Sequence, residues 1–172
     1  TKKAGSPGGR YAALVGRLRN NGFFIAAHGS AQYVRFGGKN QASDCMFIGL
    51  GQAAEITCEK VRAAGGHAWI KLKSNQSKSA AIDIDSLFNA RGIPSHLAQI
   101  DLAGAFIEGL VFGAYEYQTH KTKQDDGHNS GPAKLVFLTK NNGLKRQLEE
   151  AVPLIKSAAE ALNITRDWSN EP

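Results

Sequence analysis

The sequence predicts an α/β fold, and three observations carry that expectation. Segments that alternate apolar and polar residues, as strands do, take turns with segments whose apolar residues recur at helical spacing. The nearly continuous apolar run Cys45-Met46-Phe47-Ile48-Gly49-Leu50 has the character of a strand covered on both faces. No self-similar unit of about 20 to 50 residues repeats, which sets aside solenoids and propellers. At 172 residues, 42% hydrophobic and 21% charged, the chain is one domain's length with enough apolar side chains for a core.

Taken in order, Tyr11, Leu14, Val15 and Leu18 lie at helical spacing, and Asn20-Asn21-Gly22 supplies the stop, so a helix is predicted from Tyr11 to Arg19. Ala31 to Phe36 alternates and predicts a strand, followed by a turn at Gly37-Gly38-Lys39-Asn40. Cys45 to Leu50 is expected to be the central strand. Beyond Gly51, the residues Ala54, Cys58, Val61, Gly65, Ala68, Trp69 and Leu72 keep a helical period straight through Gly65-Gly66. Two adjacent glycines cost a helix about 2 kcal/mol relative to alanine. The alternative is therefore a helix that ends there and a strand from Ala68 to Lys73; the unbroken period favours one helix.

Ala80 to Asp85 alternates and predicts a strand, after which Pro94-Ser95 is expected to open a helix. Its stripe is Leu97, Ile100, Ala103, Ile107, Leu110, Val111 and Ala114, and only Glu108 is charged between Leu102 and Tyr115. A helix apolar all round belongs in the interior. Gly104, Gly109 and Gly113 lower its propensity, which close approach of another backbone would explain. Thr119 to Pro132 reads as a polar loop and Lys134 to Leu138 as a strand. From Leu144 the stripe Leu148, Val152, Ile155, Ala159 and Leu162 predicts a closing helix, with Pro153 implying a kink or a staggered start.

The net charge of +6 is unevenly placed. Residues 1 to 40 carry seven Lys and Arg and no Asp or Glu. Arg10, Arg17, Arg19 and Arg35 are thus candidate contacts for nucleic acid. The plain alternative is a solvated helix face, since no aromatic residues suited to base stacking are interleaved with them. Two cysteines, Cys45 and Cys58, are too few for a disulfide framework or a zinc site and suggest a reducing compartment. No stretch has the length or apolarity of a signal h-region or a membrane span, so the cytoplasm is expected and no membrane partner. The chain begins at Thr1 rather than an initiator methionine, so this says nothing of residues upstream.

Gly49-Leu50-Gly51-Gln52-Ala53-Ala54 fits the G-x-G-x-x-A pattern in which glycines let a phosphate approach a helix start, making Gly49 and Gly51 a candidate phosphate-binding turn. The acidic residue expected about 20 positions later is missing, and Lys71 and Lys73 stand there instead. A tight strand-to-helix turn is the alternative. His120, Asp125, Asp126 and His128 are metal-binding types on a polar loop without rigid support. Asp83 and Asp85 share a strand face and suit either an acid and base pair or a turn cap. Glu108 must find a hydrogen-bonding partner on its apolar helix or lose its charge. Ser30, Ser43 and Ser95 lack a Gly-x-Ser-x-Gly elbow. The residues by themselves present no catalytic constellation.

Three segments nevertheless resemble the N-terminal domain of the leucyl (cytosol) aminopeptidase family. Ile48-Gly49-Leu50-Gly51 before a long helix resembles the family's strand exit. Glu108-Gly109-Leu110-Val111-Phe112-Gly113-Ala114-Tyr115-Glu116-Tyr117, with Lys121 beyond, is similar to its Glu-Gly, apolar, Gly, small, Tyr, x, aromatic … Lys signature. Ile164-Thr165-Arg166-Asp167-Trp168-Ser169-Asn170-Glu171-Pro172 resembles its Ala-Arg-Asp-Leu-x-Asn-x-Pro segment, from which Thr165 and Trp168 depart.

The resemblance implies a macro-domain-like α/β/α fold of three layers with a mixed sheet, in which residues 1–172 are a non-catalytic N-terminal domain. Residues 1–43 are its basic segment and 163–172 a linker into a catalytic domain. It further implies that two divalent ions, Mn or Zn, and the peptide substrates belong to that catalytic domain, with no metal or catalytic residue in this chain. The implied partners are the chain's own catalytic domain and the other subunits of a homohexamer. DNA, or a nucleotide such as ADP-ribose at Gly49 and Gly51, is the alternative ligand.

Overall fold

The computed structural model describes residues 11–35, 44–88, 90–115 and 131–170. In chain order they form α1 (Ala12–Asn20), β1 (Ala31–Arg35), β2 (Asp44–Ile48), α2 (Cys58–Ser74), β3 (Ser79–Asp83), α3 (Gln99–Ala114), β4 (Lys134–Leu138) and α4 (Asn142–Asn170). The α/β class expected from the sequence is the one observed. Parallel and antiparallel pairings are both present, divided between two pairs of strands: β1 with β2 antiparallel, β3 with β4 parallel. The predicted turn at Gly37 to Asn40 and most of the predicted loop from Thr119 fall outside the described residues.

α1 ends where Asn20-Asn21-Gly22 foretold: the Asn21 amide donates to Arg17 O at 3.0 Å, and Gly22 takes a φ of 73°. The expectation of a central strand at Cys45 to Leu50 is corrected. β2 has β1 as its one strand neighbour among the described residues, and its side chains are half-buried or exposed rather than enclosed. The run is apolar on both faces for a different reason. Met46 and Ile48 pack against the core, while Phe47 meets the rings of Tyr11 and Phe24, each at 6.3 Å.

α2 is one helix through Gly65-Gly66, as the period implied, but it begins at Cys58, after a 3-10 turn at Ala53–Glu55. Thr57 Oγ1 caps it by accepting from the Lys60 amide at 3.2 Å. β3 stops at Asp83 and gives way to a 3-10 turn, Ile84–Leu87, whose Ile84 and Leu87 are buried. α3 starts at Gln99, not at Pro94-Ser95; there the Leu97 amide closes a turn on Pro94 O at 3.1 Å, and Ala98 O receives the helix's first bonds from Asp101 and Leu102. α4 runs unbroken from Asn142 to Asn170 with Pro153 exposed inside it. Its start is fixed by Asn141 Oδ1, which accepts from the amides of Gly143 and Leu144 at 3.0 and 3.1 Å.

The core lies between α2, α3 and the first half of α4. Val61, Ala64 and Ala68 of α2 meet Leu102, Phe106 and Leu110 of α3, with Leu144 and Leu148 of α4 and Ile84 closing the end. The close backbone approach that the α3 glycines implied is a helix crossing rather than a contact with a sheet. A Cβ on Gly109 would stand 1.9 Å from Arg62 O, and one on Gly65 would stand 2.2 Å from Phe106 O, so the two backbones touch where both helices lack side chains. Gly113 faces Gly66 and Trp69 in the same seam, whereas Gly104 points to Ile155 of α4 with 3.6 Å to spare.

Candidate functional site

The glycine turn after β2 is built against the segment before β1. The Gly49 amide donates to Ser30 O at 2.7 Å, the Gly51 amide to Ala26 O at 3.0 Å, and the Gly29 amide returns to Gly49 O at 3.1 Å. A Cβ on Gly49 would fall 2.1 Å from Ala27 O, and Gly51 sits at φ 81°, where a side chain is strained. Both amides that would cradle a phosphate thus have protein acceptors, and the turn leads into a three-residue 3-10 segment rather than a long helix. These glycines answer to packing and turn geometry. Ser30 Oγ donates to Ala27 O at 2.7 Å in the same knot.

Of the basic candidates, Arg10 lies outside the described residues. Arg17 and Arg19 occupy the last turn of α1, where cations complement the helix dipole. Arg35, at the end of β1, is 3.5 Å from Asp44 across the strand pair. The same carboxylate accepts from the Tyr33 hydroxyl at 2.5 Å, and this hydrogen bond to Asp44 raises the Tyr33 pKa above its ordinary value, with burial adding to the effect. Tyr33, Arg35 and Asp44 therefore form one cross-strand cluster.

The two aspartates do not make an acid and base pair. Asp83 ends β3, whereas Asp85 is in the 3-10 turn and accepts from Thr139 Oγ1 at 2.6 Å and the Lys140 amide at 2.8 Å, tying β3 to the start of α4. Glu108 has found its partner: Arg62 Nε of α2 donates to it at 2.8 Å, and Arg62 also pairs with Glu59. Glu108, first by hydrogen bond, holds the Arg62 pKa above its ordinary value against the opposing effect of burial. His120, Asp125, Asp126 and His128 lie outside the described residues. Among the described residues, no three His, Cys, Asp or Glu side chains are placed to share a metal ion. Among them, too, no helix is long and apolar enough to cross a membrane.

One cluster escapes any reading of residue chemistry alone. At the C-terminal end of α3, the Tyr115 hydroxyl donates to Asp167 Oδ1 at 2.7 Å, while the Arg166 guanidinium lies 5.3 Å from the ring centres of both Phe112 and Tyr115. Residues more than 50 positions apart are thereby clasped. The signal was present in the sequence only as two separate motifs, since Phe112 and Tyr115 belong to the Glu108–Tyr117 segment and Arg166-Asp167 to the closing one. Nothing in their spacing says that they meet.

A seam of glycines between the buried helices α2 and α3, small strand pairs beside it and a long last helix clasped to α3 define an α/β domain whose glycines and carboxylates serve packing rather than chemistry. The chain belongs to the cytosol aminopeptidase family: residues 7–124 match the model of that family's N-terminal domain. It is 28% identical over 155 residues to a probable cytosol aminopeptidase of Rhizobium etli, covering 83% of this chain and 29% of that protein. A probable cytosol aminopeptidase of Rhizobium johnstonii is 31% identical over 125 residues, with 73% of this chain and 23% of that protein covered. The chain thus spans less than a third of the length of these curated relatives. Among solved structures, the bottromycin maturation enzyme BotP in complex with Mn superposes with a TM-score of 0.64 at 22% identity, covering 90% of this chain and 29% of that one. A tomato leucine aminopeptidase mutant gives 0.59 at 21% identity, covering 83% and 26%. These structural likenesses establish the fold.

Proposed function

We propose that the chain is the N-terminal, structural part of a metal-dependent leucyl aminopeptidase, in which it contributes to assembly and to access to an active site built by other residues. The carrying observation is the match to the family's N-terminal domain over residues 7–124. A further fact supports it: the candidate carboxylates Asp85 and Glu108 are both engaged in holding elements together.

In this reading the two divalent ions, Mn or Zn, and the peptide's N-terminus are bound by the catalytic domain, residues 163–172 lead toward it, six copies associate, and the enzyme works in the cytoplasm. The test is an assay of the 172-residue chain on leucine p-nitroanilide with added Mn or Zn. Background hydrolysis is expected; robust metal-dependent turnover by this chain would overturn the reading.

The DNA reading rests on the acid-free first 40 residues. Pairing of Arg35 with Asp44 reduces what that stretch offers a phosphate backbone, which favours the assembly reading. Titration of duplex DNA at low salt, with Arg17 and Arg19 changed to Gln, decides between them: affinity that falls steeply with salt and with these substitutions would restore the DNA reading.

A further inference from the structure

The turn that carries His28 is pinned on both sides. Ala26 O accepts from the Gly51 amide at 3.0 Å, Ala27 O from the Ser30 amide at 3.0 Å, and the Gly29 amide donates to Gly49 O at 3.1 Å. His28 itself reaches across to α2, where its Nε2 lies 2.9 Å from Lys60 O. A carbonyl oxygen only accepts, so Nε2 carries the proton and Nδ1 keeps its lone pair. About two turns farther along α2, the ring of His67 stands 6.4 Å from that of His28, centre to centre. Gly29, at φ 77°, makes room for it: a Cβ there would fall 3.1 Å from His67 Nδ1 and 3.0 Å from its Cε1, so a nitrogen-bearing edge of this imidazole faces the turn. Both residues are exposed, and among the described residues His28 Nδ1 and the His67 nitrogens have no hydrogen-bond partner.

We propose that His28 and His67 form a two-imidazole site for one divalent transition-metal ion of the zinc and copper class. Neutral imidazole is a ligand that such ions favour, whereas Mg(II) and Ca(II) require oxygen donors, which neither ring offers. The hydrogen bond from Nε2 to a backbone carbonyl is the outer contact that fixes the tautomer and ring direction of a ligating histidine. An ion held about 2.0 to 2.1 Å from one nitrogen of each ring puts the ring centres roughly 5 to 6 Å apart, so a small rotation of two exposed rings closes the site. Water fills the remaining positions. Bound there, the ion staples the turn before β1 to the middle of α2. The site goes beyond the aminopeptidase reading, in which the catalytic ions are held by other residues, and no hydrolysis is assigned to it.

His120 and His128 are first replaced, by His120→Gln and His128→Gln, so that ions bound by that loop do not intrude. In this background, Zn(II) and Cu(II) added separately to the 172-residue chain near neutral pH should each give saturable calorimetric heat at one ion per chain, with Cu(II) the tighter. Mg(II) should give none. His67→Gln, at an exposed helical position that leaves the fold intact, should weaken both ions at least about tenfold, since losing even an outer contact costs a metal site that much. His28→Gln should do the same. Because the ion binds the folded chain, saturating Zn(II) should also raise the urea midpoint, and His67→Gln should cancel that rise. No saturation at millimolar Zn(II) or Cu(II) would overturn the proposal. So would binding that both glutamine variants leave unchanged, which marks an adventitious ion elsewhere, or a midpoint raised equally in His67→Gln. Turnover of leucine p-nitroanilide is not read in any arm, so failure here leaves the aminopeptidase reading untouched.

Discussion

Glu108 illustrates how far residue chemistry alone reaches. A single carboxylate on an apolar helix requires a partner, and that requirement was legible; that the partner is Arg62, 46 positions away, was not, because nothing in the sequence states which helix faces which. The pair is about one-third exposed at each side chain, so solvent screens it. Glu108→Leu should destabilise the chain by about 1 kcal/mol, seen as a lower urea midpoint with an unchanged slope. Asp85→Ala removes acceptors for both Thr139 Oγ1 and the Lys140 amide and should cost about 1 to 2 kcal/mol, with faster hydrogen exchange at the Lys140 amide as the local readout. Tyr33 adds a pH dependence. Its folded-state pKa is raised, so the stability it contributes is fully present below the ordinary tyrosine pKa of about 10 and is lost as the pH rises through the higher folded value. Ultraviolet titration should show one late-ionising tyrosine that disappears in Tyr33→Phe.

At the scale of elements, the helices were more legible than their limits. The period through Gly65-Gly66 correctly favoured one helix, since the glycines are tolerated for contact with α3 and not for a turn. The α3 start was misplaced because Pro94 suits a turn as well as a first helical residue, and the local sequence does not say which carbonyl receives the first helical bond. β2 was misjudged because an apolar run reports cover on two faces without reporting what supplies it. The glycines now separate into two kinds. Gly109→Ala drives a methyl into Arg62 O and should destabilise by about 3 kcal/mol or force the helices apart. Gly104→Ala meets only Ile155 at ordinary contact distance and should stabilise by up to about 1 kcal/mol through helix propensity. Parallel urea denaturation of the two variants checks this contrast, and a similar cost at both sites would contradict the crossing described.

For the whole molecule, the notable surface is the outer side of α4. Leu154 and Trp168 are each 73% exposed, and Ala158 and Ala161 lie between them on the same helical face. A stripe of this kind, opposite the face that packs on α3, is expected of a domain that works within a larger assembly. Two of the three motifs that flagged the family turned out to touch, and that contact was invisible to any reading of one segment at a time. In a Trp69→Phe background, emission of Trp168 should be that of a solvated indole in the isolated chain and should shift to the blue when this chain is joined to the remainder of a full-length relative and the stripe is covered. An unshifted spectrum there would mean that the stripe stays wet.

The unbroken course of α4 makes it a torsional gauge. Each residue added within a helix rotates everything beyond it by about 100° and advances it by about 1.5 Å. One residue inserted after Glu160 would therefore swing Arg166 and Asp167 off Phe112 and Tyr115, while an insertion of seven would bring them round to nearly the same azimuth one helical repeat farther along. Whatever rides on the distal end of this rod inherits its heading from the clasp, so the angle of departure is set by residue count as firmly as by any contact.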